Sequence, residues 1–140
     1  MSTQKVLFLC TGNSARSQMA EAFLRKYAAE RFDVSSAGLE PKDLNPFARQ
    51  AMEELGIDMT GHFSKSLDEF LDKGDFDYLI TVCDHAAANC PFFPGSGTRL
   101  HWSFEDPASF EGTDEEKLAK FREVRDLIKD RIIVWLAETA

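Results

Sequence analysis

The chain has 140 residues, with 24 acidic side chains against 16 basic ones, a net charge of −8 and 44% hydrophobic residues. That length suits one domain, expected over residues 1–140, with enough core to fold without disulfide staples. The acidic balance excludes a nucleic-acid binder that relies on clustered Lys and Arg. No apolar run approaches the roughly 18 residues of a membrane span. The opening MSTQKVLFLC lacks the basic stretch, long apolar region and cleavage site of a signal peptide. A soluble cytoplasmic protein is expected, and with no exposed apolar stripe evident, a monomer.

Val6 to Leu9 is a short buried strand candidate. Ser17 to Ala29 follows as a helix, with Met19, Ala20, Phe23, Leu24 and Tyr27 on the core face and Gln18, Glu21, Arg25 and Lys26 on the other. Phe32 to Ser36 is a second strand, closed by Ala37-Gly38. Asn45-Pro46 opens a helix by cap and first-turn proline, with Phe47, Ala48, Ala51, Met52 and Leu55 buried and Gly56 as its C-cap. Ser66-Leu67-Asp68-Glu69 has capping-box form and predicts a short helix ending near Gly74. Asp77 to Val82 is a strong strand, with Cys83 at its C-terminal end. An alanine-rich segment from Asp84 to Pro94 contains a small helix, and Thr98 to His101 is a last strand. After a loop from Trp102 to Gly112, a Thr113–Glu116 capping box opens a long helix. Its stripe is Leu118, Phe121, Val124, Ile128, Ile132 and Trp135. The alternation predicts a three-layer α/β fold, a four-stranded parallel sheet with helices on both faces.

In such a sheet, ligands bind beyond the carboxyl ends of the strands. The turn after Leu9 lies there. Gly12 permits backbone angles that a side chain forbids, and Asn13 tolerates the left-handed region. The amides of Thr11, Gly12, Asn13, Ser14, Ala15, Arg16 and Ser17 are therefore expected to form a nest for a tetrahedral oxyanion. Cys10 and Arg16 make a C-x5-R pair. The arginine fork suits two anion oxygens. Cys10, beneath the same amides and beside Ser17, is expected to have a depressed pKa and to act as a nucleophile. Asp106, held before Pro107, is a candidate proton donor to the leaving oxygen; an ordinary turn residue is the plainer reading of that pair. No nucleotide-binding glycine motif occurs.

Three cysteines are too few for a disulfide framework, and no C-x2-C pair or histidine array predicts zinc. Cys83 ends a strand as Cys10 does, so both thiols are expected on one rim of the sheet. Cys90 follows seven positions on, about 10 Å along a helix, beyond disulfide reach unless the segment distorts. Spacing alone leaves Cys83 and Cys90 open between redox thiols and packing residues.

The stretch LFLCTGNSARSQMAEA, together with TVCDHAAANCPFFP, HWSFEDPA and FREVRDLIKDRI, resembles the thioredoxin-coupled arsenate reductases. These share the fold of low-molecular-weight protein tyrosine phosphatases. The resemblance spans essentially the whole chain. It implies reduction of arsenate to arsenite by a three-thiol relay, serving arsenic detoxification. Cys10 attacks arsenic, Asp106 protonates the leaving oxygen, a Cys10–Cys83 disulfide forms as arsenite departs, and a Cys83–Cys90 disulfide follows. Thioredoxin then reduces that disulfide, with no tightly bound cofactor. Many members carry a second loop cysteine where this chain has Ala15, outside the relay. Some bind potassium; Asn13, Glu21 and Ser36 match three of the ligands, but the fourth falls at Lys65-Ser66, where a lysine would supply the charge instead.

The rival enzyme is a low-molecular-weight tyrosine phosphatase using Cys10, Arg16 and Asp106. Ala108 and Ser109 follow the Asp-Pro pair where such enzymes present aromatic residues. This disfavours the rival, though weak hydrolysis of small aryl phosphates is still expected as a side activity of the reductase. A non-catalytic oxyanion-binding regulator is the third reading, and a general redox protein is disfavoured by the missing C-x-x-C.

Overall fold

The structure, a computed structural model, describes residues 3–71, 76–89 and 97–139. Four strands form one sheet in the order β2-β1-β3-β4. They are β1 (Gln4–Cys10), β2 (Phe32–Gly38), β3 (Tyr78–Thr81) and β4 (Thr98–His101), and every pairing is parallel. The helices are α1 (Arg16–Ala28), α2 (Pro46–Glu53), α3 (Asp68–Leu71), α4 (Asp84–Asn89) and α5 (Asp114–Glu138), with a 3-10 turn at Pro107–Ser109. Among the described residues no helix is long and apolar enough to cross a membrane.

The chain leaves β1 for β2 on one side, then crosses back past β1 to β3. With right-handed crossovers this reversal puts α1 and α4 on opposite faces. It opens a crevice at the carboxyl ends of β1 and β3, the usual ligand position in such sheets. Cys10 is the last residue of β1, and Cys83 lies two residues beyond β3. Both thiols therefore flank the switch point.

Burial explains why β1 is central. Val6 to Leu9 are wholly buried, as a strand covered on both faces must be. One face is held by α5. Trp135 packs on Phe32 of β2, Tyr78 of β3 and Trp102 just past β4, with ring centroids 5.1, 5.0 and 5.7 Å away. One indole thus spans the sheet, and such aromatic contacts add to the burial itself. The Thr113–Glu116 capping box forms in full. Asn45 caps α2 through Phe47 N, as its sequence predicts.

Several boundaries and faces differ from expectation. Helix α2 ends at Glu53 with Glu54 as cap; Gly56 comes two residues later, at φ +76°. The helix from Ser66 begins at Asp68, and its expected end near Gly74 lies outside the described residues. Tyr27, expected in the core, is 38% exposed and stacks its ring on Phe23. Gln18 and Glu21, expected at the surface, are buried. The α1 surface they occupy is covered by residues 62–65, which supply their polar partners.

Gly38 at the end of β2 lies against the Cys10–Ser17 loop. A Cβ there would stand 2.7 Å from Thr11 O and 2.8 Å from Asn13 N. Gly38→Ala should therefore cost about 1–3 kcal/mol, the usual penalty of overpacking against backbone. Urea unfolding measures this, and phosphate binding to the folded variant should weaken in parallel.

Candidate active site

Five consecutive carbonyls shape the loop after β1. Cys10, Thr11, Gly12 and Ser14 accept from the amides of Leu39, Glu40, Lys42 and Asn45, at 3.2, 2.8, 2.8 and 2.9 Å. Asn13 O accepts from Gln18 Nε2 at 3.1 Å and from Ser64 Oγ at 2.8 Å. With the carbonyls tied outward, the peptide units turn their N–H groups the other way. Asn13 makes the turn at φ +48°, a region asparagine tolerates. Helix α1 then begins without a side-chain cap, so its first amides stay available at the positive end of the helix.

Cys10 is 2% exposed and sits beneath this turn. Its sulfur lies 2.8 Å from Ser17 Oγ and accepts from Asn13 N at 3.2 Å. Asn13 Nδ2 donates to Ser17 Oγ at 2.7 Å and to Ser36 Oγ at 2.9 Å. Ser36 in turn donates to Glu21 Oε1 at 2.5 Å. A buried polar chain thus runs from the sulfur to a carboxylate. The depressed pKa expected for Cys10 is not what the structure produces. Burial pushes the thiol above its ordinary value; the hydroxyl and amide of Ser17, the Arg16 charge and the Asn13 amide pull it down without cancelling that cost.

Arg16 and Asp106 meet at the mouth. Arg16 Nη1 donates to Phe104 O at 3.1 Å, and Nη2 lies 3.8 Å from Asp106 Oδ2. Asp106 Oδ1 accepts from Ala108 N at 3.0 Å, which caps the 3-10 turn and fixes the carboxylate. Cys10, Thr11, Gly12, Ser14, Arg16 and Asp106 line a cavity of about 130 Å³, with Lys42 on its wall. Sequence reasoning passed over Lys42, since an isolated lysine in a loop carries no signal until the loop folds against Gly12.

Cys83 is 3% exposed, and its sulfur is 3.4 Å from Thr11 Oγ1. It also accepts from Ala86 N at 3.4 Å, at the start of α4. Thr11, Arg16, Cys83 and Asp106 share a larger depression of about 610 Å³ that adjoins the first. The two thiols thus line adjoining depressions that have Thr11, Arg16 and Asp106 in common. Cys90 lies outside the described residues.

The residues expected to hold potassium do not fit the ion. Asn13 Oδ1 accepts from Lys65 N at 2.9 Å and from Gln18 at 3.2 Å. Lys65 Nζ stands 3.7 Å from Glu21 Oε1, and Arg25 Nε lies 3.2 Å from the other oxygen. Burial pushes His62 below its ordinary pKa against the pull of Glu21. The Glu21 charge is therefore met by Arg25 and Lys65.

The family model described as low molecular weight phosphotyrosine protein phosphatase matches residues 5–140. The chain belongs to this family. Among its relatives, an arsenate reductase of Halalkalibacterium halodurans is 51% identical, the match covering 99% of both chains. A solved arsenate reductase in the phosphate binding state superposes with a TM-score of 0.82 at 35% identity, over 99% of this chain and 100% of the other. A thioredoxin-dependent arsenate reductase of Corynebacterium glutamicum gives a TM-score of 0.63 at 30% identity, over 94% of this chain and 63% of that one.

Ser17 hydrogen-bonds the Cys10 sulfur and favours its charged form. Removing it leaves burial less opposed, so ionisation moves to higher pH. For Ser17→Ala the rising limb of the pH–rate profile for aryl phosphate hydrolysis should shift alkaline. The rate at neutral pH should fall about tenfold or more, as expected for a lost hydrogen bond to a charged group. A stopped assay across pH 5 to 10 checks it.

Proposed function

We propose that this protein reduces arsenate to arsenite, with Cys10, Cys83 and Cys90 as a thiol relay and thioredoxin as the electron donor. The observation that carries the reading is the second buried thiol, Cys83, 3.4 Å from the hydroxyl of the first cradle residue and open to the same depression as Arg16 and Asp106. A phosphatase needs one thiol at this loop; a reductase needs a second within reach. The arsenate reductase relatives support the same choice.

Arsenate enters the loop as phosphate would, its oxygens received by the amides of residues 11–17 and the Arg16 fork. Cys10 attacks arsenic, an S–As bond forms, and one oxygen leaves as water after Asp106 gives it a proton. Cys83 then attacks the Cys10 sulfur. The S–S bond forms, the S–As bond breaks, and its electron pair stays on arsenic, which departs as arsenite. Two thiols have lost two electrons, which is what the change from arsenic(V) to arsenic(III) takes up. Cys90 next attacks Cys83 and releases Cys10 as thiolate, and thioredoxin reduces the Cys83–Cys90 disulfide by exchange. Residues 1–140 act in this reading as one monomeric cytoplasmic domain, with weak phosphatase activity through Cys10, Arg16 and Asp106. Lys65 supplies beside Glu21 the positive charge that potassium supplies in some relatives of the resemblance.

Without external reductant, each reduced chain should release about one arsenite. Thioredoxin, its reductase and NADPH should raise this to many. Cys83→Ser should abolish arsenite release while sparing aryl phosphate hydrolysis; repeated arsenate reduction by that variant would rule the relay out. Lys65→Met should lower activity, and potassium titration should leave the unmodified protein unchanged. An unaffected Lys65→Met rate would remove the lysine from this role.

A further inference from the structure

A polar network beside Cys83 has no part in the relay. Asp84, the next residue, opens α4 and is 82% exposed at its side chain. An acid in a first helical turn is ordinary. Two donors reaching it from 17 and 19 positions along the chain are not. His101 Nε2 lies 2.8 Å from Asp84 Oδ1, and Ser103 Oγ donates to the same oxygen at 3.0 Å. His101 Nδ1 lies 2.8 Å from Thr81 Oγ1, at the end of β3. The carboxylate only accepts, so Nε2 carries a proton. Thr81 serves the other nitrogen, donating to the neutral ring or accepting from the charged one. The imidazole is thereby bracketed between a hydroxyl and a carboxylate, an arrangement that fixes ring orientation.

Two members of the network flank Cys83 in sequence, and two line the depression it opens to. Thr81 precedes it by two residues and Asp84 follows it; Cys83, Asp84 and Ser103 line one depression. The bonds from His101 and then Ser103 hold the Asp84 carboxyl below its ordinary range, so it is ionised at neutral pH. An unshared carboxylate next to a thiol opposes formation of the thiolate, and the thiolate is the attacking species. The other charged groups of the depression are Arg16, Glu105 and Asp106.

We propose that His101 and Ser103 are positioning residues for Cys83: they hold the Asp84 carboxylate on β4 and its following loop, so that it does not turn toward the neighbouring sulfur and slow its attack. This rests on Cys83 serving as the relay thiol. The test reads the sulfur itself, so its outcome is separate from that of arsenite release.

The rate of Cys83 alkylation by iodoacetamide, followed by peptide mass mapping in the reduced full chain at neutral pH, decides the matter. His101→Phe, which removes the donor, should slow alkylation about three- to tenfold, and Ser103→Ala should slow it less. His101→Gln, which keeps an N–H donor, should restore most of the rate. Asp84→Asn should speed alkylation, and the Asp84→Asn/His101→Phe double variant should match Asp84→Asn within about twofold. Aryl phosphate hydrolysis at Cys10 should be unchanged throughout, which reports an intact fold. If His101→Phe and Asp84→Asn both speed alkylation, the network is only a latch that limits access to the sulfur, and the proposal fails. It fails equally if neither variant changes the rate.

Discussion

The carbonyls of Cys10, Thr11, Gly12, Asn13 and Ser14 all accept hydrogen bonds from groups behind the loop, and this outward anchoring turns the N–H groups to the opposite side, where Asn13 N reaches the sulfur. A peptide unit has one N–H and one C=O on opposite sides, so holding the carbonyl aims the amide. The anchoring strip, residues 39–45, follows β2 directly. It can lie so close only because Gly38 has no Cβ to strike Thr11 and Asn13. The electrostatics of the site are therefore set by a strand end and its continuation as much as by the loop.

The same constraint accounts for the buried polar chain. Asn13 in the left-handed region brings its amide side chain between Ser17 and Ser36, and Ser36 hands the line on to Glu21. A carboxylate this deep is costly unless its oxygens are bonded and its charge is met. Ser36, Arg25 and Lys65 do both. The opposing demands on Cys10 follow. Burial shields the sulfur and raises its pKa, while Ser17, Arg16 and Asn13 favour the charge. An entering oxyanion meets donors already in place, which is how preorganised sites reduce reorganisation during reaction.

Support reaches the loop from a distance. Arg125 of α5 is buried and donates to Ala51 O and to Glu54 at the end of α2, and Arg122 pairs with the same glutamate. The other end of α2 begins at Asn45, whose amide holds Ser14 O. Helix α5 also carries Trp135, which packs on residues of β2 and β3 and just past β4. One long helix thus steadies the sheet with its C-terminal half and the loop, through α2, with its middle.

Much of this was legible in local patterns. The strand ending at Cys10, the caps at Asn45 and Thr113, the strand Thr98–His101 and the stripe of α5 are short-range signals, because a period or a cap is decided within a few residues. Periodicity places Gln18, Glu21 and Tyr27 on the wrong faces, since it takes polar side chains as exposed and ring-bearing ones as buried. Residues 62–65 bring the partners that make polar burial affordable, and their contact with α1 is tertiary. The direction of the Cys10 shift was equally hidden, because motif spacing counts the donors around a sulfur but not the water it has lost. The Thr81–His101–Asp84–Ser103 network joins residues from β3, α4, β4 and the loop beyond, none of which signals the others in sequence. The sequence by itself determined the elements, the nucleophile's loop and the presence of three thiols, all encoded in residue type and local spacing. Only the tertiary structure decided which thiol faces which hydroxyl, which charges are shared and which are desolvated, since these depend on the distances that folding creates.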